Sequence, residues 1–441
     1  MVDDVTTRVI QRLSHPHRPP ERREGGAAGH FLSLAEGALG GSLPLRVTAW
    51  DGTVAGAADA AARVTVRSPR ALRRVLYAPN EIGLGRAYVT GEIDVDGDLA
   101  GTLDALADAV ESWHRKITLA EGIRLLSDAA RLGVIGPRPK PPATEVKLSG
   151  RPHSRARDAA AISHHYDVPT DFYRLFLGDT MAYSCGYWPD GVDDLDAAQR
   201  AKFDLVCRKL DLQPGMRILD IGCGWGGFVE HAAREYGVDA VGVTISGSQV
   251  QAARDRIHAA GLTDRVTIRR QDYREIGDGP YDAIVSIGMA EHVGTSQLPT
   301  YTARLFDLLG SQGRLLHHAI AARAGTRPQR ATFIRRFIFP DGELQPVAAA
   351  VQALEDEGFE VRDVHALREH YVRTLRTWLD GLERNWDQAV RLVGLTRART
   401  WRIYLAGSSV GFAHQRVGVN QILAVRPDRH GGSGMPASRV V

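Results

Sequence analysis

Residues 216–227 read Met-Arg-Ile-Leu-Asp-Ile-Gly-Cys-Gly-Trp-Gly-Gly, a short apolar run followed by closely spaced glycines. The pattern predicts a strand that turns sharply into a helix, whose free N–H groups can bind a nucleotide-like cofactor. Gly222, Gly224 and Gly226 allow positive φ and let a ligand approach the backbone. Asp220 stands two residues before the first glycine, and the Gly-x-Gly-x-Gly spacing differs from the dinucleotide pattern. We therefore expect S-adenosylmethionine rather than NAD.

Composition and charge limit the classes of protein that the chain can belong to. Its 441 residues exceed what one hydrophobic core usually supports, so two domains are expected. A net charge of +3 argues against a dedicated nucleic-acid-binding protein. Three cysteines without metal-ligand spacing predict neither a disulfide framework nor a metal site, and they favour a reducing compartment. No apolar run approaches the roughly 20 residues of a membrane-spanning helix, and no signal-peptide core is visible, so we expect a cytoplasmic protein.

The N-terminal part of the chain predicts a small α+β domain. Residues 1–30 are polar and are expected to be loosely ordered. The predicted domain covers 31–135, where short β-like runs lie between 43 and 66. Apolar residues then recur at helical spacing over 70–77 and 99–113. No group of catalytic residues is apparent in this domain.

A proline-rich linker is predicted at 136–154, and a flexible tail is expected at 428–441. Between them, at 155–427, strands alternate with helices, which predicts a doubly wound, mostly parallel α/β sheet with helices on both faces. We assign strands at 217–221, 240–244, 266–269, 283–287 and 314–319. In such a sheet ligands bind beyond the carboxyl ends of the strands, where the loops converge.

Two of these loops carry candidate cofactor ligands. After the second strand, Thr244 stands where many nucleoside-binding sheets have an acidic residue for the ribose hydroxyls. After the third strand, Asp272 can accept a hydrogen bond from an adenine amino group, and Tyr273 can stack on the ring. The alternative for Asp272 is that it caps the helix that follows.

Seven motifs stand in order along the second domain. They are His165-Tyr-Asp-Val168, Met181-Ala-Tyr-Ser-Cys-Gly-Tyr-Trp188, Leu219-Asp-Ile-Gly-Cys-Gly-Trp-Gly-Gly227, Val241-Gly-Val-Thr-Ile-Ser246, Gln271-Asp-Tyr-Arg274, Glu291-His-Val-Gly294 and Phe337-Ile-Phe-Pro-Asp-Gly342. Together they resemble the cyclopropane-fatty-acyl-phospholipid synthases, over about residues 155–425. The resemblance implies a Rossmann-like class I methyltransferase domain. The N-terminal domain resembles that of the longer, phospholipid-acting members of the family.

The resemblance also implies a reaction. The sulfonium methyl group of S-adenosylmethionine would pass to a carbon of a cis double bond in an unsaturated phospholipid acyl chain, which generates a carbocation. Loss of a proton from the new methyl group would close a cyclopropane ring, whereas its loss after a hydride shift would leave a methylene branch. The motifs do not separate these products. Because an alkene is a poor nucleophile, the site must hold donor and double bond in line and exclude water.

In the family the proton is taken by a bicarbonate ion in a small polar cage. The resemblance assigns Glu291, His317 and Tyr371 to this cage, with Cys185 contributing its backbone amide. A histidine and a tyrosine hydroxyl can donate to an anion, while a glutamate can orient it or share its proton. His318 competes for the role of His317, but strand alternation is expected to turn it to the opposite face. Without the family context, each of these side chains would more simply be structural.

The glycine turn and the resemblance together imply a set of cofactor-binding residues. Some lie in the segment that is expected to close over the cofactor, and the others lie at the ends of the strands. The residues of this set are Tyr183, Ser184, Asp220, Gly222, Gly224, Gly226, Thr244, Gln249, Asp272 and Tyr273. Tyr183, Tyr187 and Trp188 are further expected to line the path of the cation with their π faces.

An acyl chain in a bilayer has to be reached from the membrane surface. Arginine-rich stretches at 151–157, 330–336 and 368–376 can meet anionic head groups, and the N-terminal domain can help to dock lipid. The alternative is that these arginines form solvated faces or ion pairs. We expect peripheral association with the inner face of the membrane, with which homodimerisation is compatible. A small-molecule N-methyltransferase and a lipid-binding protein without turnover are the alternative functions.

Overall fold

The computed structural model describes part of the chain. The described residues are 26–39, 42–78, 80–111, 132–146, 168–326 and 332–438, with 130, 150, 154, 157–158 and 160–162 in addition. The chain divides into two compact units, the first formed by residues 1–77 and 91–139 and the second by residues 78–90 and 140–441. The predicted N-terminal domain at 31–135 is therefore not a single unit, because 78–90 belongs to the second one. Most of the segment 1–30, parts of the linker and the motif residues 165–167 lie outside the described residues.

The first unit is built around a small mixed sheet. The elements up to residue 111 are α1 (Gly26–Leu39), β1 (Leu45–Ala49), β2 (Val54–Ala55), β3 (Ala62–Val66), α2 (Pro69–Tyr77), α3 (Glu81–Val89), β4 (Ile93–Val95) and α4 (Leu99–Glu111), of which α3 belongs to the second unit. The strand order is β2-β1-β3-β4, with β1 and β3 parallel and both outer pairs antiparallel. Alternate residues of β1 and β3, among them Val47 and Val64, are buried, as in a sheet with one face on the core. The predicted α+β character is confirmed.

The second unit continues with alternating helices and strands. Its further elements are α5 (Thr170–Leu177), α6 (Leu195–Leu210), β5 (Arg217–Ile221), α7 (Gly227–Tyr236), β6 (Asp239–Thr244), α8 (Gly247–Ala259), β7 (Val266–Arg270), β8 (Tyr281–Ile287), α9 (Leu298–Leu308), β9 (Leu309–Ala322), α10 (Phe333–Phe337), α11 (Val347–Glu357), β10 (Glu360–Ala366), α12 (Arg368–Arg384), α13 (Trp386–Val393), α14 (Leu395–Ala413) and β11 (Val417–Val425). All five predicted strands are confirmed, with boundaries that move by up to five residues. The edge pair β10 and β11 was not predicted.

These strands form one sheet in the order β10-β11-β9-β8-β5-β6-β7. All neighbours pair in parallel except at β11, which is antiparallel to both β9 and β10. The strand order switches at β5. Along the chain, β6 and β7 are added on one side of β5, and β8 and β9 are then added on the other side. Ligands bind beside this point in open α/β sheets, so the carboxyl ends of β5, β6 and β8 are where a site is expected.

The sheet has a packed core on each face, and the two cores define directions that matter for the site. On one face Leu316 joins a cluster with Phe203 and Val206 of α6. On the other face Leu315 joins a cluster with Tyr301 and Leu305 of α9. Consecutive residues of β9 therefore point to opposite helical layers, as the alternation of a strand requires.

The C-terminal segment is held by hydrogen bonds rather than standing apart as the predicted flexible tail. The Asp428 carboxylate accepts from the backbone N–H groups of His430 and Gly432, each at 2.8 Å, and from the Gln312 amide at 2.9 Å. The Arg314 guanidinium donates to the carbonyl of Gly434. Residues 439–441 lie outside the described part. No helix among the described residues is both long and apolar enough to span a membrane.

Candidate active site

A large cavity opens at the carboxyl ends of β5, β6, β7 and β8, with a void of about 1410 Å³ counted to its mouth. Nine of the ten predicted cofactor residues line it, and these are Tyr183, Ser184, Asp220, Gly222, Gly224, Thr244, Gln249, Asp272 and Tyr273. The remaining wall includes apolar side chains such as Ile162, Met289 and Phe339. The cavity lies within the second unit and combines polar groups at the strand ends with an apolar wall, as ligand sites commonly do.

The glycine turn forms the floor of the cavity through its backbone. Gly222, Gly224 and Gly226 have φ of +87°, +55° and +81°, conformations that strain other residues. A Cβ added to Gly224 would meet no atom within 4 Å, so this position faces open space that a ligand can fill. A Cβ on Gly226 would instead lie 3.2 Å from the Cβ of Ala253. Gly226 thus allows close packing of α7 on α8; it does not line the cavity, and its place in the ligand cradle stays a prediction.

A fourth glycine, which sequence reasoning did not single out, completes the turn. A Cβ at Gly227 would lie 2.4 Å from the backbone carbonyl oxygen of Thr180. Real Cβ atoms do not approach a backbone oxygen this closely, so glycine is needed for the contact between the turn and the predicted closing segment. In the sequence, the two adjacent glycines at 226 and 227 are the signal that could have indicated this close contact.

One end of the cavity is charged and buried. Asp220 at the end of β5 is only 2% exposed, and burial raises the pKa of its carboxyl group to about 7. Lys202 of α6 lines the same end and donates from Nζ to the Ser184 hydroxyl at 3.0 Å. Sequence reasoning found Asp220 and Ser184 but missed Lys202, because a lysine in a helix is ordinarily solvent-exposed.

Thr244 and Gln249 meet after β6, as their shared assignment predicts. The Thr244 hydroxyl donates to Gln249 Oε1 at 2.8 Å, and both side chains are buried. The Ser246 hydroxyl accepts from the backbone N–H of Gln249 and caps α8. The cap fixes the first turn of α8, which holds Gln249 against the cavity. A hydroxyl and an amide thus replace the acidic residue usual at this strand end.

Asp272 lines the cavity, but its carboxylate also has structural partners. It accepts from the backbone N–H of Arg274 at 2.9 Å, which is the capping role considered as the alternative. It also accepts from the Arg274 guanidinium, at 2.8 Å and 2.7 Å. Tyr273 packs edge-on against Tyr301 at 5.6 Å, and burial raises its pKa to about 12. Capping is therefore observed, and the contact of Asp272 with adenine stays a prediction.

The segment predicted to close over the cofactor divides into residues that reach the cavity and residues that do not. Tyr183 lines it, and its hydroxyl donates to that of Tyr404 at 3.0 Å. Tyr187 packs on His370 at 4.9 Å instead. The Arg373 guanidinium lies 4.2 Å from the centre of the Trp188 ring, so that face already holds a cation. Neither Tyr187 nor Trp188 lines the cavity, so their place on the path of the cation stays a prediction.

Glu291 follows β8 in a short turn whose neighbours Met289 and His292 line the large cavity. Its Oε1 accepts from the backbone N–H of Ile320 at 2.7 Å. Its Oε2 is buried and has no hydrogen-bond partner among the described residues. Burial raises the pKa of this carboxyl group to about 7. An unpaired buried carboxylate oxygen is costly, so Oε2 is suited to receive a ligand.

His317 and His318 point to opposite faces of the sheet, as strand alternation predicts. His317 Nδ1 lies 3.3 Å from the Tyr301 hydroxyl of α9. His318, two residues after Leu316, faces the layer of α6, and burial together with the charge of Lys202 holds its pKa well below the ordinary value. Its Nε2 is buried and has no hydrogen-bond partner among the described residues. His317 shares a small cavity with Glu291 on the α9 side.

Cys185 and Tyr371 come together at one backbone carbonyl. The Tyr371 N–H donates to the Leu367 carbonyl at 3.1 Å, and the Cys185 thiol lies 3.6 Å from the same oxygen. The thiol is fully buried, and its pKa is raised, first of all by burial. A buried neutral thiol is a poor nucleophile. This agrees with a contribution from the Cys185 backbone rather than from its sulfur.

Arginines of the three stretches expected to meet head groups are largely engaged in ion pairs within the second unit. Arg157 pairs with Asp341 at 2.6 Å. Arg336 pairs with Glu145 at 3.2 Å, and Arg373 with Asp193 at 2.8 Å. Residues 151–153, 155–156 and 330–331 lie outside the described part. For these three arginines the ion-pair alternative is the one observed.

Comparison with known proteins agrees with this geometry. The family model described as mycolic acid cyclopropane synthetase matches residues 153–422. A probable fatty acid methyltransferase of Mycobacterium tuberculosis is 36% identical over 403 residues, which is 90% of this chain and 94% of the relative. The cyclopropane-fatty-acyl-phospholipid synthase of Escherichia coli is 33% identical over 410 residues, covering 92% of this chain and 94% of the relative.

A solved structure extends the comparison to the cavity. The crystal structure of a mycolic acid cyclopropane synthase in complex with SAH and CTAB covers 60% of this chain and 98% of its own, with 33% identity and a TM-score of 0.58. SAH is S-adenosylhomocysteine, the demethylated form of S-adenosylmethionine. Since the family model covers more than half of the chain and both relatives match along nearly all of it, the chain belongs to the mycolic acid cyclopropane synthetase family of S-adenosylmethionine-dependent methyltransferases that act on fatty acyl lipids.

Proposed function

We propose that the protein transfers a methyl group from S-adenosylmethionine to the cis double bond of unsaturated phospholipid acyl chains and closes a cyclopropane ring. The observation that carries this proposal is the buried carboxylate of Glu291, whose Oε2 has no hydrogen-bond partner among the described residues. Glu291 shares a small cavity with His317 of β9, and its neighbours Met289 and His292 line the cofactor cavity. An acid–base group held in this way beside the cofactor suits a reaction that has to remove a proton from a cation.

The chemistry explains why such a group is required. An alkene attacks the sulfonium methyl group only when both are held in line and close together, and the resulting cation must be kept from water. Apolar residues such as Met289 and Phe339 provide a dry wall beside the glycine turn. The cation then has to lose a proton to a base, and Glu291, after the end of β8, lies near enough to position one.

A bicarbonate ion matches the chemistry of these side chains. Glu291 Oε2 can accept from the O–H group of the ion, and a His317 N–H can donate to one of its anionic oxygens. Bound there, bicarbonate would supply the base for the reaction. Tyr371 and the backbone amide of Cys185 are the further cage members that we propose.

His317 is the histidine that we propose for this cage. It lies with Glu291 in the small cavity, and its Nδ1 is 3.3 Å from the Tyr301 hydroxyl. His318 is the competing candidate, but it lies on the opposite face of β9 and does not line that cavity. We therefore propose His317 as the donor to the anion.

Analysis of lipids from a host with monounsaturated phospholipids tests the proposal. The host would express this chain and receive methyl-labelled methionine, and its acyl chains would be measured by mass spectrometry before and after mild hydrogenation. We expect a gain of one labelled CH₂ that resists hydrogenation. A gain that takes up hydrogen would identify a methylene-forming enzyme instead. No labelled lipid, with folded protein that binds S-adenosylhomocysteine, would overturn the proposal in favour of an amine methyltransferase or a lipid-binding protein.

We also propose peripheral binding to the inner face of the cytoplasmic membrane through the first unit. Leu76, Tyr77 and Ile135 are exposed by 49%, 46% and 64%. Arg73 donates to the carbonyls of Gly133 and Val134, which ties the turn that carries Ile135 to α2. An exposed apolar group next to arginines suits the boundary between lipid tails and anionic head groups.

Sedimentation with vesicles tests this surface. We expect the double variant Leu76→Ser, Ile135→Ser to bind vesicles of anionic phospholipid several-fold more weakly than the unaltered chain, and to keep its affinity for S-adenosylhomocysteine. Equal sedimentation of both proteins would remove this surface from the proposal. The double variant Leu344→Ser, Leu395→Ser, at exposed positions of the second unit, serves as the control.

A further inference from the structure

Lys202 is an unusual residue for a methyltransferase cavity, because it is a lysine with almost no exposure. Its side chain begins on α6, is 1% exposed and lines the large cavity. Its Nζ lies 4.2 Å from the centre of the Phe203 ring. Lysine is seldom fully buried unless its charge is paired. The burial of Lys202 therefore calls for a partner that stabilises its charge.

The partners of Lys202 within the described residues do not satisfy it. An ammonium group has three donors, and the Ser184 hydroxyl, at 3.0 Å, is the hydrogen-bond acceptor that the described residues provide. Asp220 lies near enough for the two charges to influence each other, although no hydrogen bond joins them. Because Lys202 lines the cavity, an anionic ligand group bound there can reach its remaining donors.

We propose that Lys202 binds the α-carboxylate of S-adenosylmethionine. The amino-acid end of this cofactor is a zwitterion, with a carboxylate and an ammonium group on one carbon. Lys202 and Asp220 present opposite charges at the end of the cavity where the glycine turn begins. Lys202 pairs with the carboxylate and Asp220 with the ammonium group, and Ser184 holds Nζ in place. The inference depends on the cofactor and not on the acyl product proposed above.

The second buried lysine of α6 provides a matched control. Lys209 is 2% exposed and lies seven residues further along the same helix. Its Nζ donates to the Asp363 carboxylate at 2.9 Å, so its charge is paired within the protein. Lys209 does not line the large cavity. Replacing it disturbs a buried lysine to a similar degree without changing the cofactor site.

Titration calorimetry with two ligands tests the assignment in the full chain. The ligands are S-adenosylhomocysteine and its decarboxylated analogue, S-adenosyl-3-thiopropylamine, which lacks only the carboxylate. The proteins are the unaltered chain, Lys202→Met and Lys209→Met. We expect the unaltered chain to bind S-adenosylhomocysteine about 10- to 100-fold more tightly than the analogue, as loss of one charge-assisted hydrogen bond implies. Lys202→Met should lose this preference, and Lys209→Met should keep it.

Two outcomes would overturn the assignment. One is a Lys202→Met protein that weakens binding of both ligands equally, which would show a general effect on the fold. The other is an unaltered chain that binds both ligands equally, a result that needs no variant and remains decisive if Lys202→Met does not fold. If the unaltered chain bound neither ligand, the assignment of S-adenosylmethionine as the cofactor would be contradicted. Failure of the acyl reaction alone would leave both ligands bound, so the two failures can be distinguished.

Discussion

The cofactor cavity and the proposed cage are built in different ways, although they share the same end of the sheet. The cavity is formed by the backbone of the glycine turn and by residues directly after β5, β6 and β7. The proposed cage draws Glu291 from the turn after β8 and His317 from β9, with Tyr371 of α12 as a further proposed member. A backbone site is encoded by a short continuous motif. A side-chain site depends on the face of the sheet to which each residue points, and a shift of one residue along a strand moves the side chain to the other face.

The largest effect is expected at Glu291, and it would separate the two regions. Glu291→Gln keeps the size of the side chain and an oxygen that can accept from Ile320, but it removes the charge. We expect turnover to fall by about 10²- to 10³-fold, as for loss of a positioned acid–base group. Binding of S-adenosylhomocysteine should change less than about threefold, because hydrogen bonds to the cofactor are untouched.

Radiolabelled methyl transfer to vesicles and calorimetry measure the two quantities for Glu291→Gln. Glu343→Gln is the control, since Glu343 lines the same small cavity but accepts from Thr295 at a solvent-facing position. Parallel loss of binding and turnover would mean that the cage and the cofactor cavity are one site.

The next effect distinguishes the two histidines. We expect His317→Ala to lower turnover by about 10²-fold, because the anion loses its donor, and His318→Ala to lower it by less than about tenfold. Saturating bicarbonate should recover part of the activity of His317→Ala and none of that of His318→Ala. Rates measured over a series of bicarbonate concentrations provide the comparison. The reverse order would move the cage to His318.

Within the cofactor cavity, Gly224 and Gly226 should respond differently. Both have positive φ, so alanine costs about 1–2 kcal/mol of stability at either position. Gly224→Ala should in addition weaken S-adenosylhomocysteine by about tenfold, since its Cβ enters the open space. Gly226→Ala should affect melting more than binding, because its Cβ meets Ala253. Calorimetry and thermal melts of both variants test this, and equal losses of affinity would place Gly226 back in the cradle.

The pKa of Glu291 predicts a smaller, pH-dependent effect on stability. Burial raises this pKa from 4.5 to about 7, so the native state holds the proton more tightly than the unfolded chain. The resulting stabilisation is complete below about pH 4.5 and is lost as the pH rises through about 7. Glu291→Gln has no such loss, so its melting temperature relative to the unaltered chain should rise by a few degrees between pH 5 and pH 8. A difference that is constant with pH would place the pKa of Glu291 near its ordinary value.

The smallest effect is expected at Cys185. Because its thiol is buried with a raised pKa and only its backbone amide is proposed to act, Cys185→Ala should keep turnover within about fivefold. Its melting temperature should fall slightly, since a small cavity replaces the sulfur. Complete inactivation of a folded Cys185→Ala protein would assign a role to the thiol.

Much of the fold and of the cofactor site could be predicted because both depend on local patterns. The five strands 217–221 to 314–319 were found from the alternation of strands and helices, and residues at the ends of the first four line the cavity as expected. Strands β10 and β11 were missed, since they lie among the C-terminal helices and β11 joins the sheet beside β9 out of chain order. Tyr187 and Trp188 were expected beside Tyr183 on the path of the cation, but they contact His370 and Arg373 of α12.

The sequence alone determined the family, the parallel sheet and the position of the cofactor, because a strand, a glycine turn and a helix in succession leave the backbone little choice. Only the tertiary structure decided which histidine faces the α6 layer, that Gly226 serves helix packing and that Lys202 is buried at the charged end of the cavity. These features depend on which helix covers which face of the sheet. That choice is made by residues far apart in the chain, and no short motif records it.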